Sequence, residues 1–150
     1  MPVIKDHQIS ENAWTYVADE APLVNGDITV SVTRWNNEKA QLLERSSKVG
    51  VRLMPSDTVD SISDDLGAIS LIELNFPVYT DGRSFSQARL LKDRCGYTGE
   101  LRATGNFLAD QVFYLHRVGI DSFEFNDPKA MEVGLAAMKD FSSAYQTSTR

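Results

Sequence analysis

Four charged residues recur at similar depths in four short β-type runs: Arg52 in "KVGVRLM", Glu73 in "SLIELNF", Arg102 in "ELRATG" and Glu124 in "SFEFN". Successive side chains of a strand point to opposite faces, and in each run the charge falls opposite the apolar residues. Val49, Val51 and Leu53 oppose Gly50, Arg52 and Met54; Ile72, Leu74 and Phe76 oppose Leu71, Glu73 and Asn75. Leu101 and Ala103 oppose Arg102 and Thr104, while Phe123 and Phe125 oppose Glu124 and Asn126. With the strands side by side in chain order, one face carries Arg52, Glu73, Arg102 and Glu124 in turn. Their signs alternate, and opposite charges on neighbouring strands attract. Asn75, Thr104 and Asn126 form the next layer, toward the strand ends where barrel enzymes build their sites. Such a face can bind an anion through its arginines and move a proton through Glu73 or Glu124, the candidate catalytic pair, although guanidinium neighbours should hold both carboxylates ionised. The same charges serve equally as a structural ion-pair network, or as a face covered by a second subunit.

A second cluster is "DGRS", where Asp81, Arg83 and Ser84 stand at a helix start and suit a small oxyanion. With Asn106, just after "ELRATG", the candidate ligand-binding set is Arg52, Asn75, Asp81, Arg83, Ser84, Arg102, Thr104, Asn106 and Asn126. His7 and His116 lack metal-ligand spacing. Cys95 falls in the last turn of an expected helix, where the negative end of the dipole raises a thiol pKa, so it makes a poor nucleophile. One cysteine allows neither an intrachain disulfide nor the four-thiolate set of an iron–sulfur or structural zinc site. No complete G-x-G-x-x-G or P-loop motif occurs. The residues therefore assign no metal, and the cofactor is unknown.

The elements that must position these side chains alternate between β-rich runs and amphipathic stretches, the pattern of five consecutive βα units. Strands are expected at 28–35, 48–54, 70–76, 100–105 and 122–126. Helices are expected over 37–46 with Asn36 as N-cap and Ala40 and Leu43 inward, over 58–66 with Val59, Ile62 and Leu66 inward, and from Ser84 to Cys95 with Ser84 and Gln87 at capping-box spacing. A fourth opens at Asn106 with Leu108, Val112 and Leu115 on one stripe and stops at Gly119. A fifth opens at Pro128 with Ala130, Val133, Ala137 and Phe141 inward. The first 27 residues are irregular, with "WTYVA" a possible extra strand, and the polar tail after Tyr145 is expected to fray. Parallel strands covered on both faces read as nearly continuous apolar runs. The alternation found here instead points to a single α/β domain with helices mainly on one face of a parallel sheet, like part of a TIM barrel. A flavodoxin-like open sheet is the alternative.

At 150 residues the chain can bury a real core, and 42% apolar with 24% charged residues is ordinary for a globular protein. A net charge of −6 argues against nucleic acid or an anionic membrane as partner. The single cysteine and the lack of a signal-like or membrane-spanning stretch point to the cytoplasm. A homodimer is expected where a second copy covers the polar strand face.

The ordered run "DGRSFSQARLL", then "GYTGELRATG", then "DQ" ahead of "RVGIDSFEF", within residues 76–125, resembles the bacterial family called domain of unknown function 934, and the similarity extends loosely back to Trp14. Members are commonly encoded beside the sulfite reductase haemoprotein and carry the description 'probable oxidoreductase involved in sulfite reduction'. The resemblance thus implies a role in assimilatory sulfur metabolism, with sulfite reductase or a small anion as partner, and it brings no catalytic residues with it. Electron transfer needs a cofactor or a cysteine pair. The residues themselves therefore favour an accessory protein, with a barrel-like enzyme acting on a small anion and a purely structural partner as the alternatives.

Overall fold

The computed structural model describes residues 2–6, 8–78, 82–108 and 111–148, with side chains through Met138. Asp81 and His7, and the side chain of Phe141, lie outside the described residues. The strands are β1 (Pro2–Lys5), β2 (Gln8–Glu11), β3 (Thr15–Tyr16), β4 (Ile28–Ser31), β5 (Val49–Leu53), β6 (Leu71–Phe76), β7 (Glu100–Gly105) and β8 (Ser122–Phe123). The α-helices are α1 (Val32–Leu43), α2 (Arg83–Arg89), α3 (Val112–Arg117) and α4 (Pro128–Ser148).

All eight strands form one curled, open sheet, a half-barrel, in the order β2-β1-β8-β7-β6-β5-β4-β3. From β3 to β8 neighbouring strands are parallel and follow chain order, which a flavodoxin-like sheet does not do. The sheet is not purely parallel, however. The β1–β2 hairpin adds to its far edge, with β1 antiparallel to β8 through Ile4 opposite Phe123 and Lys5 opposite Ser122. "WTYVA" supplies β3, which pairs with β4 through Thr15 and Tyr16.

One face of the sheet packs Val30, Val51, Leu53, Ile72, Leu74, Leu101 and Phe123 against Trp35, Leu42, Leu91 and Leu115 from the helical side. Each such fully buried side chain contributes about 1.5–3 kcal/mol, so this layer carries most of the hydrophobic stabilisation. Toward the C-terminal strand ends the core becomes aromatic. Phe107 lies 4.7 Å from Phe125, 5.9 Å from Phe76 and 6.0 Å from Phe123, centroid to centroid. The other face is polar yet largely buried, with Thr29, Glu73, Arg102, Thr104 and Ser122 each 3% exposed or less. Gly50 lets the start of β6 approach β5 closely: a Cβ there would stand 2.6 Å from the Leu71 carbonyl oxygen and 3.0 Å from Leu71 Cβ.

The helical connections depart from sequence expectation for local physical reasons. The strand expected at 28–35 is β4 and ends at Ser31, because the Ser31 hydroxyl caps α1 by accepting from Arg34 N at 3.1 Å. Asn36 consequently lies inside the helix, and the earlier start rotates its buried face: Trp35 and Leu42 are buried, with the Trp35 indole N–H bonded to Asp65, whereas Ala40 and Leu43, expected inward, are exposed. Where a helix was expected at 58–66 the chain makes two 3-10 turns, Val59–Ser61 and Ser63–Ala68. Ser and Asp in this stretch compete for backbone hydrogen bonds, which explains the lack of an α-helix. Val59 and Ile62 are still buried as expected.

The capping box at Ser84 and Gln87 does not form. Ser84 donates to the Asn75 carbonyl (3.2 Å), and the Gln87 amide donates to Met54 O and Asp57 O (both 2.9 Å), tying α2 to the ends of β5 and β6. After α2 the chain relaxes into a π turn, Leu90–Arg94, and Gly96 at φ +63° ends it. Asn106 opens no helix: α3 begins at Val112, and Leu108 is 41% exposed. In α4 the buried stripe is Met131, Gly134 and Met138, whereas Val133 is 58% exposed. Gly134 fixes that rotation, since a Cβ on it would stand 2.6 Å from Phe125 Cζ. The helix runs through Ser148, into the tail expected to fray after Tyr145. Among the described residues no helix is long and apolar enough to cross a membrane.

Candidate functional site

Backbone register decides which of the polar side chains meet. Arg52 pairs with Glu73 across β5–β6, and Glu73 lies beside Arg102 across β6–β7. The residue opposite Arg102 on β8 is Ser122, not Glu124. Glu124 lies one layer further along, past the end of β8, where its amide bonds to Ala103 O at 2.9 Å. The polar face therefore divides into two groups with different surroundings.

The lower group is centred on Arg102, only 3% exposed. Its Nε donates to Ser122 Oγ (2.9 Å), one terminal nitrogen to Asn12 Oδ1 (2.8 Å) and the other to Glu100 Oε2 (2.8 Å). Glu100 also accepts from Ser122 Oγ and Lys5 Nζ, both at 2.7 Å. Burial pushes the Glu100 carboxyl up. The hydrogen bonds from Lys5 and Ser122 and the charge of Arg102 outweigh that and hold it below the ordinary carboxylate value. Lys5 belongs to β1 and Asn12 follows β2, so this network fastens the N-terminal hairpin to the sheet.

The upper group lines a cavity of about 270 Å³ at the C-terminal ends of β5, β6 and β7. Its wall consists of Arg52, Asn75, Thr104, Asn106, Glu124 and Asn126, with Phe76, Pro77 and Gly105 between them. Asn75 Oδ1 accepts from Thr104 Oγ1 (3.1 Å), Asn126 Nδ2 donates to Asn106 Oδ1 (2.8 Å), and Asn106 Nδ2 donates to Pro77 O (2.7 Å). Gly105 is held at φ +95°, a left-handed conformation suited to glycine, and a Cβ there would stand 2.5 Å from Phe76 O. This turn brings Asn106 back over β6, where its amide donates to Phe76 O at 2.7 Å.

Arg52 is held on two sides. Its Nε donates to Glu73 Oε1 (3.1 Å), and its guanidinium lies 4.0 Å from the Tyr16 ring centroid. Its two terminal nitrogens make no hydrogen bond among the described residues. Glu124 presents the opposite case. Its Oε2 is buried with no hydrogen-bond partner among the described residues. Burial, then the nearby Glu73 charge, pushes its pKa above the ordinary value, and Arg52 and Arg102 only partly oppose this. A cation aimed by two partners, a ring of amide and hydroxyl groups and a carboxyl inclined to keep its proton together suit a small, strongly polar anion.

Of the sequence-derived candidates, the cavity thus gathers Arg52, Asn75, Thr104, Asn106, Glu124 and Asn126. Arg102 is engaged in the hairpin network and Ser84 in fastening α2, while Glu73 is 2% exposed and holds Arg52. Arg83 is exposed at the first position of α2. Sequence reasoning missed Tyr16, which stacks on Arg52, and Asn12 and Lys5, which complete the network around Arg102. Their only signal was an irregular N-terminal stretch. Among the described residues no cluster of three His, Cys, Asp or Glu side chains is placed to hold a metal ion.

No curated protein matches the chain. A family model described as a bacterial protein of unknown function (DUF934) does match residues 50–150, a span that contains every residue lining the cavity, and the chain belongs to that family.

Proposed function

We propose that the chain is an accessory protein of assimilatory sulfite reduction that binds a small oxyanion of the sulfite class in the cavity at the strand ends. The observation that carries this is Arg52: a guanidinium held by Glu73 and Tyr16 that lines a polar cavity, with terminal nitrogens that make no hydrogen bond among the described residues. A planar fork of this kind matches two oxygens of one anion. Asn75, Asn106, Asn126 and Thr104 supply neutral donors, and protonated Glu124 adds an O–H that its carboxylate form would replace with repulsion. The link to sulfite comes from the family resemblance. The cavity supports only the size and charge of the ligand.

Isothermal titration with sulfite tests this. Arg52→Lys keeps a charge but loses the fork, and Asn126→Asp puts a negative charge on an exposed rim residue. Each should weaken binding about tenfold or more while the protein stays folded, since charge-assisted hydrogen bonds are worth about 1.5–3 kcal/mol. Binding should also weaken as pH rises through the raised pKa of Glu124. Sulfite affinity that is absent, or unchanged in both variants, refutes the proposal.

The buried Oε2 of Glu124, without a hydrogen-bond partner among the described residues, favours a second, catalytic reading in which this carboxyl passes a proton to the bound anion. Glu124→Gln separates the two readings: an enzyme loses turnover, whereas a binding protein retains its affinity at acidic pH. Partnership with sulfite reductase and pairing into a homodimer belong to the same proposal. The exposed edge strands β2 and β3 are surfaces where a second copy could add.

A further inference from the structure

On the helical side, away from the strand-end cavity, an open trough of about 920 Å³ runs between α2, its π turn and α3. Arg89, Lys92 and Arg117 line it together with Phe85, Tyr114 and Val118, and Asp93 and Asp121 contribute two carboxylates. In a chain with 15 basic and 21 acidic residues, the trough lining carries three cations (Arg89, Lys92 and Arg117) against two carboxylates (Asp93 and Asp121), a net charge of +1. The lining is therefore a local reversal of the overall charge.

The trough is also sculpted. The π turn is closed by Cys95 N to Leu90 O (3.0 Å), and Tyr97 N bonds to Leu91 O (2.8 Å). Such turns interrupt regular helix geometry and recur at functional sites. Lys92 lies along Gly119, where a Cβ would stand 2.5 Å from its Cγ, so the lysine stem is fixed while its ammonium, 4.0 Å from Asp121, stays at the trough. Arg117 lies over the Phe113 ring at 5.7 Å. Tyr114 is 63% exposed, a large aromatic surface left to water between cations.

We propose that this trough docks an acidic segment of a partner protein, anchored by one aromatic side chain against Tyr114, Phe85 and Val118. Charge complementarity selects the occupant: in a chain of net charge −6, this lining has a net positive charge, with Arg89 and Arg117 as the cations that meet an acidic segment. Aromatic anchors flanked by charge pairs dominate such interfaces. A mononucleotide fits less well. The cations are spread along two elements, and the Gly119 amide at the wall is bonded to His116 O at 3.0 Å, so it offers no phosphate cradle.

The test is fluorescence anisotropy with a labelled peptide of Glu and Asp residues around a single Phe. The controls are the same peptide with Ala for Phe, a Lys-rich counterpart, and ADP as competitor. The acidic Phe peptide should bind saturably, and the Arg89→Glu/Arg117→Glu double variant should lose about tenfold or more. Tyr114→Ala should weaken the Phe peptide severalfold and leave the Ala peptide unchanged, a coupling that general charge attraction would not produce. All three substituted residues are exposed, so circular dichroism should report an intact fold. Unchanged affinity in the double variant, a silent Tyr114→Ala, or tighter binding of ADP than of the peptide each overturns the proposal, the last in favour of a nucleotide site. Sulfite affinity should persist in these variants, so failure here is distinguishable from failure of the anion cavity.

Discussion

Arg102→Met decides whether the most buried arginine of the polar strand face serves architecture or ligand. Methionine nearly preserves the volume of the stem and removes three hydrogen bonds, to Ser122, Asn12 and Glu100. Losing one partner of a buried ion pair costs about 3–5 kcal/mol when the other is stranded. Here none is stranded. Glu100 keeps Lys5 and Ser122, and Asn12 Oδ1 keeps the Trp14 amide at 3.0 Å. The expected loss is therefore smaller, about 2–3 kcal/mol, since charged hydrogen bonds contribute about 1.5–3 kcal/mol each and part of that is recovered. For a chain of this size that corresponds to a fall in Tm of about 4–12 °C. Thermal unfolding at neutral pH measures it, and titration of the folded variant with sulfite measures the other half of the claim: affinity unchanged within about twofold, because Arg102 does not line the cavity. An unchanged Tm together with lost sulfite affinity would refute the reasoning and return Arg102 to the binding set.

Other expectations follow from the same geometry. Glu124 has a raised pKa, so the folded state binds its proton more tightly than the unfolded chain, and stability falls as pH rises from the ordinary 4.5 to the folded value. Glu124→Gln should abolish that slope and raise the urea midpoint at neutral pH. Glu100 behaves oppositely. Its lowered pKa gives stability that is present above 4.5 and lost as pH falls through the folded value, and Lys5→Met should shrink this acid-sensitive component. Gly50→Ala drives a Cβ to 2.6 Å from the Leu71 carbonyl and should cost about 1–3 kcal/mol by the same unfolding assay. If β2 or β3 pairs with a second copy, light scattering at micromolar concentration should give twice the chain mass, and a Lys on β2 in place of Ile9, which is 49% exposed, should restore the monomer.

The strands from 49 to 105 were legible in the sequence because a period of two with one apolar and one polar face leaves few ways to place them. Their chain-order adjacency agreed with the idea of helices on one face. The helix starts were less legible because several residues at each boundary could cap equally well by type. Ser31 prevails over Asn36 because capping there buries Trp35, a tertiary consequence with no local signal. The N-terminal hairpin was missed for a related reason. Four-residue strands such as "PVIK" and "QISE" show no periodicity above noise, and β2 is exposed along its whole length.

The most consequential difference lies in the last parallel strand, where the sequence pattern is blind by construction. A one-residue slip in register would turn the apolar side of "SFEFN" outward, so alternation forbids it. A two-residue slip leaves every side chain on its face and changes only its neighbours. Asp121 sets the actual register: its carboxylate accepts from Leu101 N at 2.9 Å and its amide donates to Leu101 O at 2.8 Å, which places Ser122 opposite Arg102. Glu124 is thereby carried one layer on, from the expected place beside a guanidinium to a cavity wall where its Oε2 has no partner among the described residues. The inferred chemistry changes with it. A carboxylate paired with Arg102 would stay ionised and repel an anion, whereas the same carboxyl set away from that pairing, with its pKa raised by burial, can donate a hydrogen bond to one.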